Sequence, residues 1–180
     1  MVYCFLADGF EELEAIAPID ILRRAGVEVI TVGVRGKTVK GSHGIVVSAD
    51  ITAEEFGADG KLEAVILPGG LPGAVNLENS AVVQKAIDFA LENDVFICAI
   101  CAAPQILGHK GILNGKQAIA YPGFEKELTG AIISESHVAL DGKFITAKGA
   151  GVAVEFGLAI ATAIKGQTVS DGIRAAIQMK

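Results

Sequence analysis

The chemistry of this chain concentrates on one cysteine. Cys101 closes the apolar run Phe96-Ile97-Cys98-Ala99-Ile100 and is followed at once by Ala102-Ala103-Pro104. An apolar run that stops at small residues and a proline predicts a buried strand turning sharply into a helix. A thiol at such a turn sees backbone N–H groups and the positive end of a helix dipole. Both favour the thiolate, which is the nucleophile. The same turn carrying a serine is the nucleophile elbow of α/β hydrolases.

A cysteine nucleophile needs a group that moves protons, and Glu14 is the first candidate. Pro18 lies four residues on, so the Glu14 carbonyl loses its helical N–H partner and the proline ring bends the helix there. A bend beside Glu14 brings its carboxyl over a crevice. Desolvated next to a thiolate, that carboxyl would have its pKa raised and donate a hydrogen bond to sulfur, so that the pair acts as nucleophile plus proton shuttle. Gly69-Gly70 follow a strand end and permit close backbone approach. With the Ala102 N–H, they form a candidate pocket for a developing oxyanion.

The histidines are His43, His109 and His137. Each reads as a surface residue on local sequence, and His43, in the polar turn Gly41-Ser42-His43-Gly44, is kept as a supporting residue. No histidine pair has metal-ligand spacing, and neither a phosphate loop nor a dinucleotide fingerprint is present. The expectation is therefore no metal and no cofactor. The other cysteines, Cys4 and Cys98, lie inside apolar runs where cysteine packs as a small hydrophobe. Cys98 and Cys101 have the C-x-x-C spacing, but Cys98 falls within a strand rather than at a helix start, which argues against a redox dithiol. An odd cysteine count without a disulfide framework points to a reducing, cytoplasmic setting.

The elements that must position these residues follow from periodicity and punctuation. Val2–Ala7 predicts a buried strand. Asp8 then opens a helix, with Glu11 as capping-box partner, that runs to Arg24 and stops at Gly26. Strands are expected at Val27–Val34, Gly44–Asp50 and Leu62–Leu67, and a Ser80-capped helix from Ser80 to Asn93. After the Cys101 turn come a helix Ala102–His109 and a short strand Gln117–Tyr121. A hairpin of Val138–Leu140 and Phe144–Ala147 turns on Asp141-Gly142. Helices over Gly151–Ile164 and Ser170–Met179 end the chain. Alternating strands and helices imply a mainly parallel sheet with helices on both faces. In such sheets the functional crevice lies at the carboxyl ends of the strands, where three of these loops converge: Asp8–Glu14, Pro68–Gly73 and the Cys101 turn.

The 180 residues are 51% hydrophobic and 20% charged, which suits one domain spanning 1–180. A net charge of −6 argues against nucleic acid and anionic membranes as partners. No apolar run approaches the ~18 residues of a membrane span. Asp8, Glu11 and Glu12 interrupt the N-terminal run, against a signal peptide.

Together these residues resemble the ThiJ/PfpI superfamily, in its DJ-one branch of deglycases. The resemblance rests on Ala7-Asp8-Gly9-Phe10-Glu11-Glu12-Leu13-Glu14, Pro18 to Gly26, Leu67-Pro68-Gly69-Gly70, Ala99-Ile100-Cys101-Ala102-Ala103-Pro104 and Lys148-Gly149-Ala150-Gly151. It implies a flavodoxin-like three-layer sandwich, a homodimer, and Cys101 as the reactive, oxidisable cysteine with Glu14 as its hydrogen-bonding carboxyl. Gly69, Gly70 and Ala102 would frame an anion pocket, and Asp20 and Arg24 would lie near the site or the dimer contact. Ala102 stands where the peptidase branch has histidine, which disfavours peptidase activity. The deglycase branch has a second histidine near the site; its best match here is near Gly130, within Leu128–Ala131, where there is none. Two functions are implied. One is cofactor-free conversion of methylglyoxal-class dicarbonyls or their protein adducts. The other is a redox-sensing, stress-protective, chaperone-like role in which Cys101 oxidises with little turnover.

Overall fold

The short apolar runs become adjacent parallel strands because each can bury both faces only between layers of helix. The computed structural model of the chain describes residues 1–179. In chain order its elements are β1 (Val2–Leu6), α1 (Glu12–Arg24), β2 (Val29–Gly33), β3 (Thr38–Lys40), β4 (Val46–Ser48), β5 (Ile51–Thr52), β6 (Ala64–Leu67), α2 (Gly73–Glu78), α3 (Ala81–Glu92), β7 (Phe96–Ile100), α4 (Pro104–His109), β8 (Gln117–Ala118), β9 (Ile132–Ile133), β10 (Val138–Asp141), β11 (Phe144–Ala147), α5 (Ala153–Lys165) and α6 (Gln167–Ala176). The main sheet has the order β10-β11-β7-β6-β1-β2-β5. Every pairing in it is parallel except the β10–β11 hairpin.

Strand alternation sorts the core into two layers. Tyr3, Phe5, Val65, Leu67, Ile97 and Ala99 face α2, α3 and α4. Val2, Cys4, Leu6, Ile66, Cys98 and Ile100 face α1, α5 and α6. This is the expected three-layer α/β sandwich. The chain leaves β1 toward β2 on one side and later returns to β6 and β7 on the other. A topological switch point therefore opens between β1 and β6, at the carboxyl ends of the strands.

Several local expectations are corrected. Asp8 does not cap α1: it accepts from the Lys40 N–H at 2.9 Å. Glu11 is the N-cap, accepting from the Glu14 N–H at 2.8 Å, because Asp8 and Gly9 are taken up in a turn with Gly9 at φ +85°. The helix passes through Pro18 and continues to Arg24. The run Gly44–Asp50 yields only β4, which pairs antiparallel with β3 in a separate two-stranded sheet. Ser80 occupies the N-cap of α3 without a side-chain capping bond. Gln117–Tyr121 shortens to β8, paired with β9, and leaves Tyr121 in the following turn. The short helix α2 and strands β3, β5 and β9 were not foreseen, since runs of two to six residues carry too little periodicity to read. The last helix starts at Gln167, directly after Gly166 ends α5.

Helix α1 is locked in place by α5. Gly157 faces Pro18 and Ile21, and a Cβ added there would lie 2.9 Å from Pro18 Cα and 3.1 Å from Ile21 Cβ. Only glycine allows this approach of the two helix backbones. Gly157→Val is expected to destabilise the fold by roughly 1–3 kcal/mol through overpacking, measured by urea unfolding; unchanged stability would show that the crossing has slack.

Candidate active site

The strands β1, β6 and β7 lie side by side, so their following loops meet. Cys101 comes directly after β7 and adopts φ +65°, a left-handed turn between strand and helix. Its N–H donates to the Ala147 carbonyl at 2.9 Å, and its own carbonyl accepts from the Tyr121 N–H at 2.8 Å. Backbone bonds on both sides thus fix the turn, and the side chain projects into the crevice. Cys4 and Cys98 are fully buried, while Cys101 is partly accessible. Burial pushes Cys4 up to about 12 and Cys98 higher still. Among the three thiols, Cys101 alone can meet a substrate.

Glu14 sits in the first turn of α1 and is 1% exposed. Its Oε2 accepts from the Gly69 N–H at 3.0 Å. Its Oε1 is buried with no hydrogen-bond partner among the described residues, and the carboxyl lies beside Cys101 across Gly69. Burial raises the carboxyl to about 7, and the hydrogen bond with Cys101 only partly offsets this. Burial and the Glu14 charge likewise push the Cys101 thiol up to about 12, against the N–H groups of Gly70 and Ala102 that favour its anion. The turn alone therefore does not give a free thiolate, contrary to the sequence expectation. Two acids desolvated together cannot both ionise, so the pair retains a proton at neutral pH. The thiolate is accessible when that proton sits on Glu14.

The glycines have separate duties. Gly69 gives its N–H to Glu14, which takes it out of the expected anion pocket; the donors facing sulfur belong to Gly70 and Ala102. A Cβ on Gly69 would lie 2.6 Å from Glu14 Oε2 and 2.7 Å from Cys101 Cβ. Gly70, at φ +86°, meets the main chain of Gly9 to Glu11 just as closely.

A cavity of about 250 Å³ opens over the sulfur, bounded by Glu11, His43, Gly70, Cys101, Ala102 and Tyr121 among others. A larger one, about 320 Å³, lies beside it, and Tyr121 forms part of both walls. His137 and Lys148 are on that second cavity. His109 lies elsewhere, between Glu78 at 2.6 Å and Glu127 at 3.0 Å. Gly130 packs against Asn114 and bounds neither cavity. The residues of the stretch after β8 that reach the Cys101 cavity are Tyr121 and Phe124, and Tyr121 also walls the second cavity. Sequence reasoning missed Tyr121 because the strand expected over Gln117–Tyr121 stops at Ala118. Asp20 and Arg24 pair with each other at 2.7 Å on the exposed side of α1 and do not reach the cavity. Glu11, Glu12 and His43 bring ligand-type atoms within 4.8 Å of one another. Their oxygens are already engaged by main-chain N–H groups and the imidazole, so hydrogen bonding accounts for that cluster.

With this geometry in hand, comparison with known proteins is decisive. The sequence matches the DJ-1/PfpI family over residues 1–163. The chain belongs to that family. It is 35% identical over 179 residues to the Parkinson disease protein 7 homolog of Danio rerio, covering 97% of this chain and 95% of that one. It is 32% identical over 145 residues to a protein of Pyrococcus abyssi named a deglycase, covering 79% of this chain and 86% of the relative. The structure of Drosophila melanogaster DJ-1beta superposes with a TM-score of 0.93 at 32% identity, covering 99% of this chain and 97% of that one. That of oxidized Toxoplasma gondii DJ-1 gives 0.91 at 31% identity, covering 98% and 97%. The DJ-1 flavodoxin-like fold is thus established. No helix among the described residues is long and apolar enough to cross a membrane.

The raised Glu14 carboxyl has a consequence for stability. It holds a proton to about pH 7 in the fold and to about 4.3 unfolded. Its contribution is therefore complete below the unfolded value and lost as pH rises through 7, amounting to roughly 4 kcal/mol. Chemical denaturation of wild type and Glu14→Gln between pH 4 and pH 9 should show that loss in the wild type and not in the variant. Parallel pH profiles would contradict the assignment.

Proposed function

We propose that the chain is a cofactor-free glyoxalase or deglycase, acting on methylglyoxal-class dicarbonyls or their protein adducts through Cys101. The observation that carries this reading is the buried Glu14 carboxyl set beside the partly accessible Cys101 thiol, on a cavity where the Gly70 and Ala102 N–H groups face the sulfur. The relative named a deglycase supports it.

With the proton on Glu14, the Cys101 thiolate adds to the aldehyde carbon. The alkoxide forms against the Gly70 and Ala102 N–H groups and takes the Glu14 proton, giving a hemithioacetal. The Glu14 carboxylate then removes the proton on that carbon and returns it to the neighbouring carbon, while the hydroxyl proton passes from the first oxygen to the former ketone oxygen. The product is a 2-hydroxy acid thioester, which water releases as lactate when methylglyoxal is the substrate, regenerating Cys101. No net oxidation occurs, so no redox cofactor is called for. Ala102, rather than a histidine, after the nucleophile speaks against peptidase chemistry.

A redox role is supported by a second observation: Cys101 is the one partly accessible thiol, and a structural relative is described as oxidized. Sulfenic and then sulfinic oxygens on Cys101 would meet the same N–H groups and the Glu14 proton. A reducing compartment such as the cytoplasm would keep the thiol ready for either role. As for partners, Leu13, Ile16, Asp20 and Arg24 share one stripe of α1 at helical spacing, and Leu13 and Ile16 are 60% and 45% exposed. A second copy of the chain would cover that stripe.

Lactate formation from methylglyoxal without glutathione is the test. Wild type should turn over, Cys101→Ser should fall to background, and Glu14→Gln should lose about 100-fold or more. Wild-type turnover no higher than that of Cys101→Ser would remove the enzyme reading and leave oxidation of Cys101.

A further inference from the structure

His43 lines the same cavity as Cys101 and belongs to a carboxylate–imidazole pair that the mechanism above does not use. His43 stands in the loop between β3 and β4. Its main-chain N–H donates to Glu12 Oε1 at 2.8 Å, and its Nδ1 lies 2.9 Å from Glu12 Oε2. The Ile45 N–H also donates to Oε1, at 3.3 Å. Glu12 is 7% exposed. Burial alone would raise this carboxyl, but the bonds from the His43 ring and main chain and from Ile45 outweigh it and bring the group down to about 2. Glu12 is thus a fixed anion, with Oε1 held by two main-chain N–H groups and Oε2 set against the His43 ring. Nδ1 is committed to it, so the free ring nitrogen is Nε2, which has no hydrogen-bond partner among the described residues.

We propose that His43, held by Glu12, donates a proton to the ketone oxygen of a dicarbonyl bound on Cys101 and then accepts the proton of the hydroxyl on the sulfur-bearing carbon. The inference rests on the glyoxalase reading of the site. A carboxylate that orients a histidine across from a nucleophile is the arrangement that activated-nucleophile sites share. Here the histidine serves the substrate, because Glu14 already serves the sulfur. Bound through its aldehyde carbon, a 2-oxoaldehyde extends its ketone oxygen away from Cys101 into the cavity that His43 walls.

The proton inventory closes. As Glu14 removes the proton from the hemithioacetal carbon, the electron pair forms the carbon–carbon double bond of an enediol, and the ketone oxygen takes a proton from the imidazolium. As Glu14 returns its proton to the second carbon, the hydroxyl on the sulfur-bearing carbon loses its proton to the neutral imidazole and becomes the thioester carbonyl. Both groups end as they began. The hydrogen bond to Glu12 raises the His43 pKa above its ordinary value, which favours the imidazolium needed first. The groups facing the ring are Glu12, Glu11 with Oε1 3.9 Å from Nδ1, and Ser42 with Oγ at 3.2 Å. Cys101 and Tyr121 share its cavity.

The experiment compares wild type, Cys101→Ser, His43→Gln and Glu12→Gln. Turnover of methylglyoxal is followed from pH 5 to pH 9, together with the rate at which iodoacetamide alkylates Cys101. His43→Gln is expected to lower kcat by about 100-fold or more while alkylation of Cys101 is unchanged. Glu12→Gln should move the basic limb of the kcat profile to lower pH, because the imidazole loses its carboxylate. If His43→Gln keeps wild-type kcat and pH profile while Cys101→Ser is inactive, the role of His43 is refuted and the glyoxalase reading stands. Loss of alkylation together with turnover would show that His43 only holds the loop, which also refutes it. An inactive wild type would remove both proposals.

Discussion

One electrostatic constraint organises the centre of this molecule: two acids, Glu14 and Cys101, are desolvated against each other and cannot both be charged. Burial raises the carboxyl to about 7 and the thiol to about 12. The thiol is held higher than the carboxyl, so the single proton left to the pair rests on sulfur and must pass to Glu14 to expose the thiolate. The nucleophile is thus generated by moving a proton a short distance, without a metal ion or a surface base being required. The N–H groups of Gly70 and Ala102 oppose the penalty on the sulfur side, and the Gly69 N–H does so on the carboxyl side.

Much of the remaining structure serves to bring these groups to one point. Parallel pairing of β1, β6 and β7 delivers the α1 loop, the glycine loop and the Cys101 turn to the same edge of the sheet. Each contact there is near the steric limit. Gly69 has no room for a methyl group beside Glu14 and Cys101. Gly157 lets α5 press α1 toward the sheet, and α1 carries Glu14. The helix layer on one side supplies the carboxyl, while Ala102 and α4 belong to the core on the other. The site is therefore the seam between the two layers.

The long, strongly patterned elements were legible in the residues alone. The apolar runs at Val2, Leu62 and Phe96, the amphipathic helix of Val83, Ile87 and Ala90, and the Asp141-Gly142 hairpin all stand where periodicity places them. The loops that carry Glu14, Gly69, Gly70, Cys101 and Ala102 also meet at the carboxyl ends of adjacent strands, as the alternation of strands and helices implies. What failed was local and short. Asp8 and Glu11 are both plausible caps, and only the Lys40 main chain, which occupies Asp8, decides between them. The separate duties of Gly69 and Gly70 depend on which way each N–H points, which no spacing encodes. Tyr121 reaches the cavity because its N–H is tied to the Cys101 carbonyl, a contact between residues twenty apart in the chain. His43 is exposed, as its polar turn suggests, but its pairing with Glu12, thirty-one residues away, is a contact that no local spacing encodes.

The central claim is that the Glu14 carboxyl keeps its proton close to neutral pH. Infrared difference spectra of wild type against Glu14→Gln, recorded through a pH titration, would observe the protonated carboxyl directly. The account predicts a protonated-carboxyl band, absent from the variant, that persists above pH 6 and disappears with a midpoint near 7. A band lost near the ordinary carboxylate value of about 4.3 would mean that Glu14 is charged throughout the neutral range, and the shared-proton account of Cys101 would be wrong.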